Sequence, residues 1–543
     1  MKRLRQPGNG TVALLLGCAV ALLLTATSSS IGLTWDEPAY IAASESYLNW
    51  FGTLLRDPSA ALQPAAIDSY WTISHDHPPL DKTWSGLVWG ASRPLLDDLT
   101  AHRLGNVLLA AILVALLFLL VAKAYGRASG LFAVGALMTM PRFFFHAHLA
   151  ALDVPVAVCA FALTFLFWRT IHWRGWGVGL VWGAAGGLAL ATKFNALLIP
   201  VVFALWILLS PRSWSAVPRL FLMGIAAVPI FFLTWPWLYH QSWTRLLTYV
   251  TFHLNQPAIG QWYLGAFYPI PPWHFPFVML WAVVPLTVTG LALLGAMQAR
   301  HVALDDGLGL LFVLNSIVFI SPFLLGRTSI YDDERFFMPV FPFVAALAGV
   351  GFGKVLKPAA AVLHRLNRSA LLPHTAAALG VALLAPQCVS MVGLYPHLLS
   401  YYSEGVLGLP GATRLGLETT YWCETFAAAV PYINEHARPG DHIWISSGTR
   451  DVLVYYQLRG WLRADVTIVG GNWKQSVFGP QAPPPVSDTY QNSNWIIFQY
   501  RQSQYGPQGN QYPLLNYLKQ LPPPVYQLAY QGVPLMQVYG SPK

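Results

Sequence analysis

Charge is scarce in this chain. Asp, Glu, Lys and Arg make up only 10% of its 543 residues, against about 25% in an ordinary soluble domain, so most of it cannot carry a solvated globular surface. Cysteine is scarcer still. Of four, Cys18, Cys159 and Cys388 fall within apolar runs and Cys423 stands alone after them, which excludes an internal disulfide framework there. No CxxC metal motif exists either. Also missing are GxGxxG, a Walker motif and any internal repeat, so no loop is built to cradle a nucleotide phosphate.

What fills the chain instead is apolar sequence. Hydrophobic residues make up 55% and lie in long runs, each near the roughly 20 residues that cross a bilayer as a helix. Barrel strands would alternate, and these runs do not. The pattern predicts a polytopic α-helical membrane protein with about eleven spans, near 11–33, 104–122, 128–145, 153–171, 176–192, 194–210, 219–238, 275–298, 308–326, 337–353 and 372–394. The first run follows Met-Lys-Arg-Leu-Arg, lacks a clean small-x-small cleavage site and is expected to remain as a signal anchor.

Basic residues gather in alternate loops: Lys2, Arg3 and Arg5; Lys123 and Arg127; Arg169 and Arg174; Arg212 and Arg219; Arg300; then Lys354, Lys357, Arg365 and Arg368. Cytoplasmic loops retain such residues. The N-terminus is therefore expected inside a plasma (inner) membrane, with loops 34–103, 146–152, 239–274 and 327–336 and everything after 395 extracytoplasmic. The net charge of +9 then reflects topology, and no nucleic-acid partner is expected.

Two domains are expected, a membrane domain over 1–395 and an outer domain over 396–543. The first outer loop, 34–103, holds amphipathic stretches such as "AYIAASESYLNWFGTLL", suited to helices lying in the interface. After 395 long apolar runs stop. "HIWISSG", "DVTIVGG" and "NWIIFQY" read as short buried strands; "ETFAAAVPYINEHA", "RDVLVYYQLRG" and "YPLLNYLKQL" read as helices, with a closing hairpin in "VYQLAYQGVPLMQVYG". That alternation predicts a small α/β domain.

Most unusual polar residues fall on the expected outer side: Asp36 and Glu37 in "LTWDEPAY"; His75, Asp76, His77 and Lys82 in "HDHPPLDK"; Arg142, His146, His148 and Asp153 in "RFFFHAHLAALDVP"; Lys193 in "ATKFN"; and Arg335 in "YDDERFFMPVFPF". Ionisable groups at membrane depth cost a few kcal/mol and are generally paired or functional. Separated carboxylates with cations nearby suit phosphate binding beside proton abstraction. Plainer roles stay open. Asp36–Glu37 and Asp153 stand where helix caps belong, Lys193 where an end anchor snorkels, and Arg335 next to Asp332, Asp333 and Glu334. His77 could serve only the Pro-Pro turn. His75, Asp76, His146 and His148 supply enough ligands for a divalent metal, although spacing does not show that they converge. Tyr401, Tyr402, Glu404 and Glu418–Trp422 fit either a cover over a pocket or a seam between domains.

The carboxylate pair after the first span, "HPPLDK", the HAxxAxxDxP pattern in "HAHLAALDVP", "TKFNALLIP" and "RFFMPVFPF" together resemble the GT-C glycosyltransferases of family 39 and its relatives, among them protein O-mannosyltransferases and the lipid A aminoarabinose transferase. The resemblance runs from about residue 10 to 400. It implies a GT-C membrane enzyme that moves a sugar, with inversion, from a polyprenyl-phosphate donor to a protein, lipid or glycan hydroxyl at the outer face. It further implies Asp36 as general base, Glu37 as its orienting or acceptor-binding neighbour and Asp153 as the second carboxylate. His77 or Lys82, with Lys193 and Arg335, would meet the donor phosphate. A phosphate is a good leaving group once its charge is met, so no cofactor is required, and a divalent metal is left open. A lipid-glycan flippase or transporter is the alternative, but it would place charges near the midplane between half-repeats. A non-catalytic assembly subunit is a third reading.

Overall fold

The computed structural model describes residues 7–255, 259–299, 307–471, 476–478, 489–505 and 512–540. Lys2, Arg3, Arg5 and Arg300, used above to orient the chain, lie outside the described residues, as does the side chain of Arg212.

Among the described residues, seven helical stretches are long and apolar enough to cross a membrane: Asn9–Ser30, Asp98–Tyr125, Asp153–Thr170, Ser213–Leu233, Leu308–Leu325, Val340–Arg365 and Ser369–Leu394. Four shorter apolar helices accompany them, Arg127–Met138, Trp176–Leu190, Phe194–Leu209 and Leu286–Gln298. Two of the expected runs are broken, each at a proline. Pro141 opens a separate short helix, Pro141–His146, and Pro285 divides 275–298 because it holds Val284 in an extended conformation, φ −90° and ψ 129°, away from the helical region.

With no hydrophobic drive between helices in lipid, close packing depends on small residues. The Trp176–Leu190 helix lays Gly179, Gly183 and Gly187 against Val217–Leu233, where a methyl at Gly187 would lie 2.6 Å from the Ala227 carbonyl oxygen. Gly295 and Gly351 let the Leu286–Ala299 and Val340–Arg365 helices approach more closely still, since a methyl at either would overlap the carbonyl oxygen of Leu347 or Leu291 on the facing helix.

The stretch after the first helix folds into the expected amphipathic helices, chiefly Glu37–Arg56, Pro64–Trp71 and Leu80–Ser92. They are held by an aromatic cluster of Tyr47, Trp50 and Trp71 with Trp235 and Trp237, in which the Tyr47 and Trp71 rings stack at 4.1 Å. A small hairpin, β1 Gln261–Tyr263 and β2 Ala266–Tyr268, follows. Residues Leu398, Leu399, Tyr401, Tyr421 and Trp422 still pack into the core of the helical bundle.

Beyond them a five-stranded sheet forms from β3 His442–Ser446, β4 Thr467–Gly470, β5 Trp495–Gln499, β6 Tyr526–Tyr530 and β7 Val533–Gly540, in the order β4-β3-β5-β7-β6. β3 runs parallel to β4 and β5, while β7 is antiparallel to β5 and β6. All three expected strands and the closing hairpin are present, and the Arg450–Leu458 helix makes the crossover that a parallel β3–β4 pair requires. Polar residues concentrate where the helical bundle meets this sheet.

Candidate active site

Trp35 anchors the chain after the first helix by donating its backbone N–H to the Trp422 carbonyl (3.0 Å). Asp36 then takes the N-cap position of the Glu37–Arg56 helix, yet its side chain makes no capping bond. The carboxylate turns instead to Arg335. That guanidinium fans over three carboxylates: Nη2 to Asp36 Oδ2, Nε to Asp153 Oδ2 at 3.0 Å and Nη1 to Asp332 Oδ2 at 2.8 Å. It lies 4.1 Å from the ring centroid of Trp422, a face suited to a cation.

Lys193 pairs with the other oxygen of Asp153, so it is tied inward rather than snorkelling. Asp153 opens its helix, but its carboxylate serves the two cations. The turn carrying Arg335 is strained, with Asp332 and Asp333 in succession at φ 59° and 52°, a region disfavoured for non-glycine residues. Of the acidic neighbours, only Asp332 pairs with Arg335. Asp333 and Glu334 both go to Arg142 Nη1, at 3.0 and 2.5 Å.

A cavity of about 930 Å³ opens beside Asp36, lined by Trp35, Tyr40, His75, Asp76, His77, Tyr331, Asp332 and Arg335 from the bundle side, and by Gly448, Thr449, Asp451, Arg501 and Gln504 from the sheet side. Asp153 and Lys193 sit behind Arg335 and do not line it. Burial, only partly offset by Arg335, raises the Asp36 carboxyl above the ordinary aspartate range. The same desolvation drives His77 down to about 3, leaving it neutral.

Lys82 is buried. Its ammonium donates to the Ser74 carbonyl (2.5 Å), Ser74 Oγ (3.3 Å) and the His77 carbonyl (2.9 Å). All three of its donors thus hold the 74–77 loop that forms the cavity wall, and burial lowers its pKa to about 8.

Glu37 points the other way. Its carboxylate takes Nε and Nη2 of Arg103 (2.8 and 2.7 Å), the N–H and hydroxyl of Thr34 (2.9 and 3.1 Å), and the N–H of Ala150 (3.0 Å). Arg103 also caps the end of the first helix through the carbonyls of Ser28, Ile31 and Gly32. Asn106 supports the irregular 147–152 segment by donating to Leu149 O and Ala151 O, which satisfies non-helical backbone inside the bundle.

The four candidate metal ligands are spread out. His75 and Asp76 line the cavity. His146 Nε2 lies 3.2 Å from Tyr421 Oη, which donates to Glu334, and His148 bonds Thr27 and the Phe144 carbonyl. Among the described residues, ligand atoms close enough to share an ion belong to Glu45, Asp98 and His102. There Arg459 Nη2 lies 2.9 Å from Asp98 and 3.4 Å from Glu45, and Tyr455 donates to Asp98 at 2.6 Å. The site has the donors for a metal, and it already holds a guanidinium as counter-charge.

Sequence reasoning missed Arg103, Arg501 and Asp451, while Trp422 lies in the 418–422 stretch read as a pocket cover or domain seam and stacks on Arg335. Arg103, at the head of an apolar run, carried a usable signal. Arg501 donates to Asp332 Oδ1 at 2.6 Å from a loop with no local mark.

Comparison with known proteins accords with this architecture. Residues 76–240 match the family described as dolichyl-phosphate-mannose-protein mannosyltransferase. No curated protein sequence gives a significant match. Among solved structures, ArnT from Cupriavidus metallidurans bound to undecaprenyl phosphate superposes with a TM-score of 0.52 at 16% identity, covering 97% of this chain and 98% of that one. The apo form of ArnT gives 0.51 at 18%, covering 98% of each. The oligosaccharyltransferase AglB from Archaeoglobus fulgidus, in complex with an inhibitory peptide and a dolichol-phosphate, gives 0.48 at 10%, covering 90% of this chain and 69% of that one. The two findings agree: residues 76–240 match the mannosyltransferase family model, and the chain as a whole shares the fold of ArnT.

Proposed function

We propose that this chain transfers a hexose or pentose, with inversion, from a polyprenyl-phosphate donor to an acceptor hydroxyl at the extracytoplasmic face. Asp36 serves as general base. The observation that carries this reading is an uncapped Asp36 carboxylate in a large cavity, next to a guanidinium held by two further carboxylates. The donor phosphate is assigned to Arg335, which bonds Asp36, and to Lys193, which bonds Asp153 behind it, with His77 on the adjoining wall. Lys82 shapes that wall.

In the transfer step the acceptor oxygen bonds to the anomeric carbon and the bond from that carbon to the phosphate oxygen breaks. The acceptor proton passes to Asp36, and polyprenyl phosphate leaves with the electron pair. Charge at the anomeric carbon is oxocarbenium-like, as in glycoside hydrolysis, and one base on the face opposite the phosphate is enough. Asp153 positions both cations, and Glu37 fixes the start of the helix that presents Asp36.

The membrane arrangement that goes with this reading has all eleven apolar helices crossing, with the sheet outside. Residues 1–395 form the membrane unit and 396–543 cover the cavity. No step is assigned to a metal. If one binds, Glu45, Asp98 and His102 would hold it, away from the reacting atoms.

The test uses purified full-length protein in nanodiscs with a panel of polyprenyl-phosphate sugars. Wild type should release polyprenyl phosphate. Asp36→Asn should keep donor binding and lose about 100-fold or more in turnover, the scale of general-base catalysis. Full turnover by the variant would remove Asp36 from the mechanism.

A further inference from the structure

Two guanidiniums share one carboxylate where the bundle meets the sheet. Asp332 Oδ2 accepts from Nη1 of Arg335 at 2.8 Å, and its other oxygen, Oδ1, accepts from Nη2 of Arg501 at 2.6 Å. Arg335 stands in the turn ahead of the Val340–Arg365 helix, whereas Arg501 stands in the loop that follows β5. All three side chains are buried, so these contacts are little screened by salt.

Two tryptophans close the arrangement into a ring. The Arg335 guanidinium lies 4.1 Å from the ring centroid of Trp422, that of Arg501 lies 5.6 Å from the ring centroid of Trp35, and Trp35 donates its backbone N–H to the Trp422 carbonyl. The residues after Arg501 are fastened to the same seam. Gln502 accepts from the Thr419 N–H at 2.9 Å and donates to the Thr419 hydroxyl, and the Ser503 N–H donates to Glu418 Oε1 at 2.8 Å. Three successive residues, 501–503, thus dock against the bundle side.

In this network of direct contacts three carboxylates, Asp36, Asp153 and Asp332, meet three cations, Arg335, Lys193 and Arg501. The adjacent Asp333 and Glu334 are taken by Arg142. Burial pushes Glu418, another carboxyl near Arg501, up to about 8, so it keeps its proton near neutral pH and Asp332 is the charged partner. Without Arg501 the three carboxylates would share two cations, and Asp332 would have an oxygen to spare. A carboxylate with both oxygens available takes a guanidinium through two parallel bonds, the stronger arrangement. Asp332 would then draw the Arg335 fork toward itself and away from Asp36 and Asp153. Its backbone, held at φ 59°, is of a kind that persists where surrounding contacts over-determine it, and the bond to Arg501 is one such contact.

We propose that Arg501 is a positioning residue for the transfer: by occupying one oxygen of Asp332 it keeps the Arg335 guanidinium spread over Asp36 and Asp153, in the orientation that meets the donor phosphate. This rests on the transfer reading above. The phosphate-binding cation is thereby set from the sheet region, and the site becomes competent once the 501–503 segment is docked.

The experiment uses the full chain in nanodiscs with undecaprenyl phosphate as the probe, its affinity read by titration and native mass spectrometry. Arg501→Gln should weaken binding at least about tenfold and still melt cooperatively, because Asp332 keeps Arg335 as a partner. Adding Asp332→Asn removes the carboxylate that captures Arg335, so the double variant should bind more tightly than Arg501→Gln alone. Two residues with independent structural roles would instead compound their losses. An Arg501→Gln protein within about tenfold of wild type, or a double variant no tighter than Arg501→Gln, overturns the assignment. Arg501→Met takes the place of Arg501→Gln in both comparisons if the latter does not fold. Release of polyprenyl phosphate from a panel of polyprenyl-phosphate sugars is measured for wild type in the same preparation. Its absence overturns the transfer reading and this inference with it, whereas its presence beside the wrong order of affinities overturns only the role of Arg501.

Discussion

Arg335 and Asp36 are joined directly, Nη2 to Oδ2, across 299 positions of sequence. On the proposed mechanism the pair masks the base, because a carboxylate bonded to a guanidinium is less ready to take a proton. A donor phosphate competing for Arg335 would then free the carboxylate only once the donor is in place. The guanidinium also keeps Asp36, Asp153 and Asp332 from repelling one another.

Removing that guanidinium should therefore act on stability as well as on activity. Arg335→Ala leaves three neighbouring carboxylates without their shared cation, and breaking a buried pair of this kind costs about 3–5 kcal/mol. Arg335→Lys keeps the charge but not the planar fork, and should restore melting temperature more than kcat/KM for the donor. Thermal melts and donor saturation curves measured side by side separate the two effects.

Glu37 and Arg103 predict a purely structural phenotype. Both side chains are fully buried, and the carboxylate oxygens are saturated with donors. Arg103→Ala should cost about 3–5 kcal/mol and loosen the end of the first helix. Glu37→Gln should cost less, because its amide keeps one acceptor oxygen and nearly the same volume. If either variant kept wild-type stability and lost only acceptor affinity, Glu37 would be a binding group instead.

The acid limb of the activity profile should report Asp36. Burial raises its carboxyl, so the ionised base is lost as pH falls through a value above that of ordinary aspartate. Accordingly, kcat/KM should decline on the acid side at a pH where a solvent-exposed aspartate is still ionised. The residual activity of Asp36→Asn should lack this limb.

Glu424 gives a stability profile of the opposite sense. Its carboxyl is buried near Thr420 (3.0 Å) and Gln499 (3.4 Å), and desolvation pushes it from an ordinary value of 4.5 up to about 8. Between those two values the folded protein holds a proton that the unfolded chain has released. Stability contributed by this group is therefore greatest below the lower value and lost as pH rises toward about 8. The melting temperature of wild type should fall over that window, and the fall should be smaller in Glu424→Gln. Identical profiles would show that Glu424 is ionised throughout.

The helical layout was legible because apolar run length is a property of local sequence. The three strands and the hairpin were legible because each is bounded by turn residues. The two broken runs were marked by prolines, which the run-length reading passed over. At the site, Asp36, Asp153, Lys193 and Arg335 stood out because charge is rare in this chain. Their mutual contacts were not legible, since they come from segments far apart.

Glu37 shows the limit most clearly. It adjoins Asp36 in sequence, yet one step into a helix swings the side chain to another direction, toward Arg103 instead of the cavity. Arg501 and Asp451 carry no local signal at all. They reach the cavity only because the sheet is folded against the bundle.

The fan of Arg335 also orders events in time. A ribosome makes Asp36 first, then Asp153, then Lys193, and all of these precede the arginine that joins them. Until that residue arrives, Asp153 has Lys193 as a partner and Asp36 lacks the guanidinium it bonds in the finished site. Asp332 meets Arg335 at once but gains its second cation later, because Arg501 lies in the loop after β5 near the far end of the chain. The site is therefore finished last, after every helix it rests on has been synthesised.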